Sequence, residues 1–113
     1  MASEFVAAGK RMEKMREAVP FAVAARYESR LHRVLVTLSN HLEIAINPEQ
    51  TQVLQGKSKS TLQAIEILPG GYALYFPVLD EGLYLPGIFQ GIFGTQKWMR
   101  TAASTAKKKS RAA

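Results

Sequence analysis

Cysteine is absent from this chain of 113 residues, which excludes disulfide bonds, thiol nucleophiles and thiolate metal sites. The two histidines, His32 and His41, have no second ligand at metal-binding spacing, so we predict no metal site. The N-terminus lacks the apolar core of a signal peptide, and no apolar run approaches the roughly 20 residues of a membrane helix. These absences predict a cytoplasmic protein with no cofactor, no metal ion and no membrane contact.

Sequence signatures of catalysis are also missing. Neither a P-loop nor a dinucleotide-binding glycine pattern occurs, and Ser29 and Ser39 lack the context of an activated nucleophile. Asp80 and Glu81 are adjacent acids in a predicted loop. Acids are common near the start of a helix or strand, and this position is the simpler explanation for them. An enzyme that uses these two carboxylates would lack a nearby histidine, lysine or metal ligand. The sequence therefore predicts a protein that is not an enzyme.

The positive charge of the chain is concentrated at its C-terminal end. Residues 1–94 carry nine basic and nine acidic side chains, whereas residues 95–113 carry six basic side chains and no acid, which accounts for the net charge of +6. Basic residues of this kind bind phosphate backbones without reading sequence. The candidate nucleic-acid-binding residues are Lys97, Arg100, Lys107, Lys108, Lys109 and Arg111. The alternative is a disordered tail that only aids solubility.

The first 19 residues have the pattern of an amphipathic helix. Ser3 is a plausible N-cap, and apolar residues follow at helical spacing up to Pro20, which disfavours helix for the residue before it. The apolar stripe includes Phe5, Met12 and Met15, which are the candidate partner-binding residues. Packing of this stripe on its own domain is the alternative, because most helices bury their apolar face.

Residues 20–94 predict a compact α+β domain. Strands are predicted over residues 22–28, 30–38, 42–46, 61–68 and 72–76, with His32 inside the second strand and His41 in the turn after it. Asn47 and Pro48 predict a helix that ends near Gly56, and the stretch from Leu68 to Gly71 predicts a type II turn. The predicted fold is thus α+β: an N-terminal helix, a mainly antiparallel small sheet with short helices, and a disordered basic tail over residues 95–113.

The stretch DEGLYLPGIFQGIFG, residues 80–94, repeats Gly-Ile-Phe. On a helix, Ile88 and Ile92 are i, i+4 neighbours, as are Phe89 and Phe93, so the four would form one apolar face. Pro86 suits the first turn of such a helix. We predict a short helix that closes the core and carries no chemistry of its own.

Two segments resemble a small bacterial family, the domain of unknown function 2442. One is the hairpin VLVTLSNHLEIAI with the Pro-led helix start after it, and the other is LQAIEILPGGYALYFPVLDEGLYLPGIFQGIFG. In the family the second segment typically gives a strand, a Gly turn, an aromatic-Pro pair, a Leu-Asp-acid motif and a short closing helix. The corresponding positions here are residues 65–68, 70–71, 76–77, 79–81 and 83–94. Phe76, Gly82 and His41 depart from residues that are usual in the family.

The resemblance implies a binding protein rather than a reaction, because no catalytic residues are established for the family. Relatives often occur beside a second small protein, in arrangements that resemble toxin–antitoxin pairs. The sequence and the resemblance together predict a small non-enzymatic binding protein, an antitoxin-like or regulatory module that engages a protein partner and contacts nucleic acid through its tail. The alternative is a protein-only adaptor or subunit of a larger assembly, and a homo-oligomer is left open.

Overall fold

The computed structural model describes Lys14, Arg16 and residues 18–102. Its elements are β1 (Ala22–Glu28), β2 (Arg33–Leu38), β3 (Glu43–Ile46), a 3-10 turn (Pro48–Gln50), α1 (Lys59–Leu62), β4 (Glu66–Ile67), β5 (Ala73–Phe76), β6 (Glu81–Tyr84), α2 (Leu85–Phe89) and α3 (residues 96–102). The predicted stripe of Phe5, Met12 and Met15 and the tail after residue 102 lie outside the described residues. The fold is therefore a small α+β fold with two antiparallel sheets and short helices.

The first sheet has the strand order β1-β2-β3, and all its pairs are antiparallel. Alternation along β2 places Val34, Val36 and Leu38 on one face, and all three are buried. In the turn between β2 and β3, the Asn40 Oδ1 accepts a hydrogen bond from the Leu42 N–H at 3.1 Å. This confirms the predicted first strand and hairpin, and His41 in the turn takes the left-handed conformation, with φ of 71°.

The second sheet has the strand order β4-β5-β6 and is also antiparallel. The chain enters β5 through a turn in which the Gly71 N–H donates to the Leu68 O at 3.0 Å. Pro69 is the second residue of this turn, and Gly70 is the third, with φ of 94°. A positive φ at the third position is the requirement of a type II turn. The predicted turn and the aromatic strand after it are confirmed.

The two sheets meet where β1 begins. The Ala22 N–H donates to the Gly71 O at 2.7 Å, and the Tyr72 Oη donates to the Val19 O at 2.6 Å. Side chains from both sheets and from the segments between them form one core. Its buried members are Ala22, Val34, Val36, Leu38, Ile46, Leu54, Leu62, Leu74, Phe76, Leu83 and Leu85.

The strand predicted over residues 61–68 is wrong in its first half. Residues Lys59–Leu62 form α1 instead, and only Glu66 and Ile67 pair with β5. The Thr61 Oγ1 donates to the Ser58 O at 2.7 Å, a local bond that favours a helical turn over an extended chain. Leu62 reaches the core from this turn, so its burial does not depend on strand alternation.

The predicted helix after Asn47 is shorter than expected. The Asn47 Oδ1 caps it by accepting from the Glu49 N–H at 3.0 Å, as predicted, but regular helix is limited to the 3-10 turn Pro48–Gln50. Thr51 then takes an extended conformation, with φ of −120° and ψ of 140°, which ends the helix.

The closing helix predicted over residues 83–94 is confined to Leu85–Phe89, and its predicted start belongs to β6. After α2, the Gly91 N–H donates to the Ile88 O at 3.0 Å and the Ile92 N–H donates to the Gly87 O at 2.8 Å. With φ of 83° at Gly91, these bonds make a Schellman motif, which ends a helix. The predicted helical face of Ile88, Ile92, Phe89 and Phe93 therefore does not form.

The tail differs from the predicted disorder where it begins, because residues 96–102 are helical. The Met99 N–H donates to the Thr95 O at 2.9 Å, and the Trp98 N–H donates to the Thr95 Oγ1 at 3.1 Å. Trp98 is half-buried. Thr95 thus caps α3 and fixes the direction in which the tail leaves the body.

Candidate functional site

The predicted site residues are not brought together by the described part of the chain. Lys97 and Arg100 are exposed on α3, one turn apart. The remaining predicted nucleic-acid-binding residues and the predicted partner-binding residues lie outside the described residues. Two arrangements that the sequence did not predict are present instead: a chain of polar side chains at one end of the first sheet and a pair of apolar grooves beside α2.

The polar chain links Tyr27, His32 and Glu49. The Tyr27 Oη lies 2.5 Å from the His32 Nδ1, and the His32 Nε2 lies 3.1 Å from the Glu49 Oε1. A carboxylate can only accept a hydrogen bond, so His32 donates its Nε2–H to Glu49; in the tautomer with the proton on Nε2, Nδ1 accepts the hydrogen bond from the Tyr27 O–H. Glu49 also accepts from the Gly56 N–H at 3.1 Å.

This chain of polar groups corrects the predicted position of His32. His32 lies in the turn between β1 and β2, with φ of 51°, and not inside a strand. For a residue other than glycine this left-handed conformation is unfavourable, so the surrounding structure must stabilise it. Here Tyr27 and Glu49 hold the His32 ring from both sides. Tyr27 and His32 are also in edge-to-face contact, with centroids 5.7 Å apart. The sequence contained no local signal for this contact, because Glu49 follows His32 by 17 positions.

The polar chain has a structural consequence at neutral pH. The hydrogen bond from His32, and next the Gly56 N–H, lower the pKa of Glu49 below its ordinary value. The carboxylate is therefore ionised and joins the turn after β1 to the segment that follows β3. Tyr27, His32 and Glu49 line neither of the two apolar grooves beside α2. The arrangement thus serves to fix two turns against each other.

Replacing Glu49 with glutamine is expected to lower the free energy of unfolding by about 1 kcal/mol at pH 7, because a half-exposed charged acceptor is lost. Folding lowers the pKa of Glu49, so its stabilising effect is present above 4.5 and is lost as the pH falls through the folded value. Urea unfolding of both proteins between pH 7 and about pH 3 should show the difference disappearing.

The matched control for this experiment is Glu43→Gln, which changes an exposed carboxylate that makes no salt bridge within residues 18–102. Its effect on stability should be small at every pH. A Glu49→Gln difference that stays constant down to the acid limit would contradict the assigned role of the charge.

The adjacent acids Asp80 and Glu81 lie in different surroundings. Asp80 lies in the turn between β5 and β6 with φ of 52°, and its Oδ1 accepts from the Tyr75 Oη at 2.5 Å. This hydrogen bond, and next burial, raise the pKa of Tyr75. Glu81 begins β6 and is exposed. The Asp80 carboxylate stabilises the turn between β5 and β6 through its hydrogen bond from Tyr75, whereas the Glu81 carboxylate is exposed.

Among the described residues, no group of three or more His, Cys, Asp or Glu side chains could hold a metal ion. No helix among them has the length and hydrophobicity needed to cross a bilayer.

Two apolar grooves flank α2. The strand-side groove, of about 470 Å³, lies between α2 and β3 and is lined by Ile44, Ala45, Ile46, Asn47, Gln50, Thr51, Ile88, Phe89 and Phe93. The glycine-side groove, of about 380 Å³, lies on the other side and is lined by Val53, Gly82, Leu83, Tyr84, Pro86, Gly87, Ile88, Gln90, Ile92, Phe93 and Gly94. Among the described residues, neither lining contains an acidic or basic side chain.

The end of α2 explains why this surface is open. Gly91 turns the chain, so Ile92 and Phe93 project from a loop and keep 54% and 39% of their surface exposed. The loop is held in place because the Gln52 N–H donates to the Phe93 O at 2.9 Å and the Thr95 N–H donates to the Gln52 Oε1 at 2.8 Å. The signal for this turn was the pair Gln90-Gly91, since glycine just past a helix commonly ends it.

Each groove adjoins a sheet edge that pairs with no further strand of the described residues. Hydrogen-bonded pairs alternate along an antiparallel ladder, and the Leu38 N–H donates to the Leu42 O at 2.8 Å. Ile44 therefore bonds to β2, whereas the N–H and C=O of Glu43 and Ala45 point away from it. By the same alternation, the Leu85 N–H bond to the Tyr72 O leaves Gly82 and Tyr84 facing outwards on β6.

Comparisons with known proteins agree with this fold. Residues 22–94 match the family described as Protein of unknown function (DUF2442). A crystal structure of a protein of unknown function from Rhodospirillum rubrum ATCC 11170 is 46% identical, with a TM-score of 0.68, over 71% of this chain and 96% of that one. A solution NMR structure of the uncharacterized protein CV0863 from Chromobacterium violaceum is 31% identical, with a TM-score of 0.72, over 88% of this chain and 91% of that one. Among curated proteins there is no match. The fold and the matched residues together show that the chain belongs to the DUF2442 family, whose function is unknown.

Proposed function

We propose that this protein is a small non-enzymatic binding module, antitoxin-like or regulatory, that engages a protein partner and contacts nucleic acid through its basic tail. The observation that carries the proposal is the uncharged, open apolar surface of the glycine-side groove. Tyr84 and Ile92 each expose more than half of their surface beside this groove. Contiguous exposed apolar surface of this kind is typical of interaction sites.

The expected occupant is an apolar segment of another protein with a basic residue beside it. The groove lining offers no charge for nucleic-acid phosphates, but Asp80 and Glu81 immediately precede Gly82 at its rim. Glu81 makes no salt bridge within residues 18–102, so its carboxylate is available to a cation of the partner. Phe5, Met12 and Met15 remain predicted as a second contact with the partner.

The nucleic-acid half of the proposal rests on charge placement. Lys97 and Arg100 lie one turn apart on α3 and are exposed, and Trp98 between them is half-buried against the body. The four further basic residues, at 107–109 and 111, extend this charge. If about four of these charges contact phosphates, a fourfold rise in salt should weaken binding by roughly two decades.

The test is purification of the full chain from its native cell together with whatever it binds. We expect a stoichiometric protein and nucleic acid with the wild type. Ile92→Arg should reduce the recovered protein by roughly tenfold, because a charge is placed in the apolar contact. The matched control is Val23→Arg, since Val23 on β1 is 55% exposed against 54% for Ile92. Equal recovery with both arginine variants would overturn the docking surface.

Deletion of residues 101–113 separates the two halves of the proposal. The truncated chain should retain the protein partner and lose most of the salt-sensitive nucleic-acid binding. Recovery of the partner without nucleic acid from either form would favour the protein-only adaptor instead.

A further inference from the structure

We propose that the free edge of β3 and the strand-side groove form a homodimer interface, in which β3 pairs antiparallel with β3 of a second copy about a two-fold axis at Ala45. This goes beyond the proposed function, because it concerns the other groove, the other sheet and a different occupant. Three features of this edge support the proposal: the backbone groups of β3 that point away from β2, the placement of charge along β3 and the apolar wall beside it.

The backbone of β3 has unused hydrogen-bonding groups. The N–H and C=O of Ala45 point away from β2. Within residues 18–102, neither group has a backbone hydrogen-bond partner. An open strand edge is a ready template for another strand. Two copies of Ala45 placed opposite each other would exchange two N–H···O=C bonds, one in each direction. Ala45 has a small, exposed side chain, which itself does not hinder this approach.

Charge along β3 favours this register over its neighbours. With Ala45 on the axis, Glu43 lies opposite Asn47 of the second copy, which is neutral. A shift by two positions would place the two Glu43 carboxylates directly opposite each other, where like charges destabilise a sheet. Pairing Glu43 with Ala45 instead would leave the two carboxylates diagonal to each other, within about 8 Å. The Ala45 register keeps these charges furthest apart and pairs residues 43–47.

The strand-side groove gives the second copy an apolar surface to cover. Ile44 is half-buried on β3, and Phe89 beside it remains 39% exposed. Two-fold pairing brings the groove of each copy to the same side of the extended sheet, so the two apolar walls shield each other. Since the described residues that line the groove include no acidic or basic side chain, covering them buries no unpaired charge. The structure thus assigns a self-complementary surface to this edge.

The first test uses opposite charges at the axis. In sedimentation experiments on the full chain, the wild type should be a dimer at micromolar concentration. Ala45→Lys and Ala45→Glu should each weaken the dimer roughly tenfold or more, because two like charges would then stand on directly opposite positions of the paired strands. An equimolar mixture of the two variants should dimerise again. Ala24→Lys, the same change at an exposed position on β1, should leave the dimer intact.

The second test does not depend on the folding of charged variants. The chain has no cysteine, so Ala45→Cys introduces a single thiol. Hydrogen-bonded partners across antiparallel strands have Cα atoms about 5.5 Å apart, within the range that a disulfide spans. Mild oxidation should therefore crosslink the Ala45→Cys protein to a covalent dimer at least tenfold faster than Ala24→Cys. A monomeric wild type, or equal crosslinking of the two cysteine variants, would overturn the proposal and leave the glycine-side groove as proposed above.

Discussion

Replacing Phe76 with alanine is expected to lower the free energy of unfolding by about 3–5 kcal/mol, the largest loss of any single truncation discussed for this protein. Phe76 lies on β5 and is the largest of the completely buried side chains among the described residues. Its removal loses the transfer free energy of the ring and leaves a cavity that the surrounding strands can only partly fill. Chemical denaturation monitored by circular dichroism measures the effect.

The matched control for Phe76 is Phe89→Ala on α2. Phe89 is 39% exposed in the strand-side groove, so the same deletion of a ring leaves no enclosed cavity. The loss of stability should be below about 1.5 kcal/mol, from partial burial alone. Equal losses for the two variants would mean that Phe76 is not the centre of the core.

Replacing Gly71 with alanine is expected to cost about 3 kcal/mol, or to shift the contact between the two sheets. With φ of 82°, the position is unfavourable for any residue with a Cβ, at about 1–2 kcal/mol. In addition, a Cβ there would lie 2.8 Å from the Ala22 O and 3.0 Å from the Phe21 Cβ. The Ala22 O is a backbone atom in the first sheet, so it cannot move aside without moving β1.

Gly56→Ala separates these two causes. Gly56 has φ of 69°, but a Cβ there would meet nothing within 4 Å, so this variant carries the backbone strain without the clash. Its cost should be the strain alone, about 1–2 kcal/mol. Thermal unfolding of both variants should give a clearly lower Tm for Gly71→Ala, and similar values would show that the close approach to Ala22 contributes nothing.

The parts of this fold that the sequence predicted are those determined by local patterns. Val34, Val36 and Leu38 alternate along one strand, and Pro69 with Gly70 meets the backbone demands of one turn type, so both were correct. Leu62 was misassigned, because a short apolar run reads equally well as a strand or as one turn of helix.

The parts that the sequence did not predict depend on contacts between distant segments or on where a helix ends. His32 and Glu49 are 17 positions apart, and nothing near either residue indicates the other. Ile92 was expected on a helical face, but the left-handed Gly91 redirects the chain and leaves this side chain open to a partner. The candidate docking surface could therefore be identified only from the structure, whereas the basic tail is evident from the sequence.

The junction between Ala22 and Gly71 also bears on how the protein folds. Every strand pair joins neighbours in the chain, so each sheet can assemble from hairpins with little loop-closure entropy. Bringing Ala22 to Gly71 instead closes a loop of roughly 50 residues. We expect this docking of two preformed halves to come after the transition state for folding. The clash in Gly71→Ala should then mainly accelerate unfolding and leave the refolding rate close to that of the wild type.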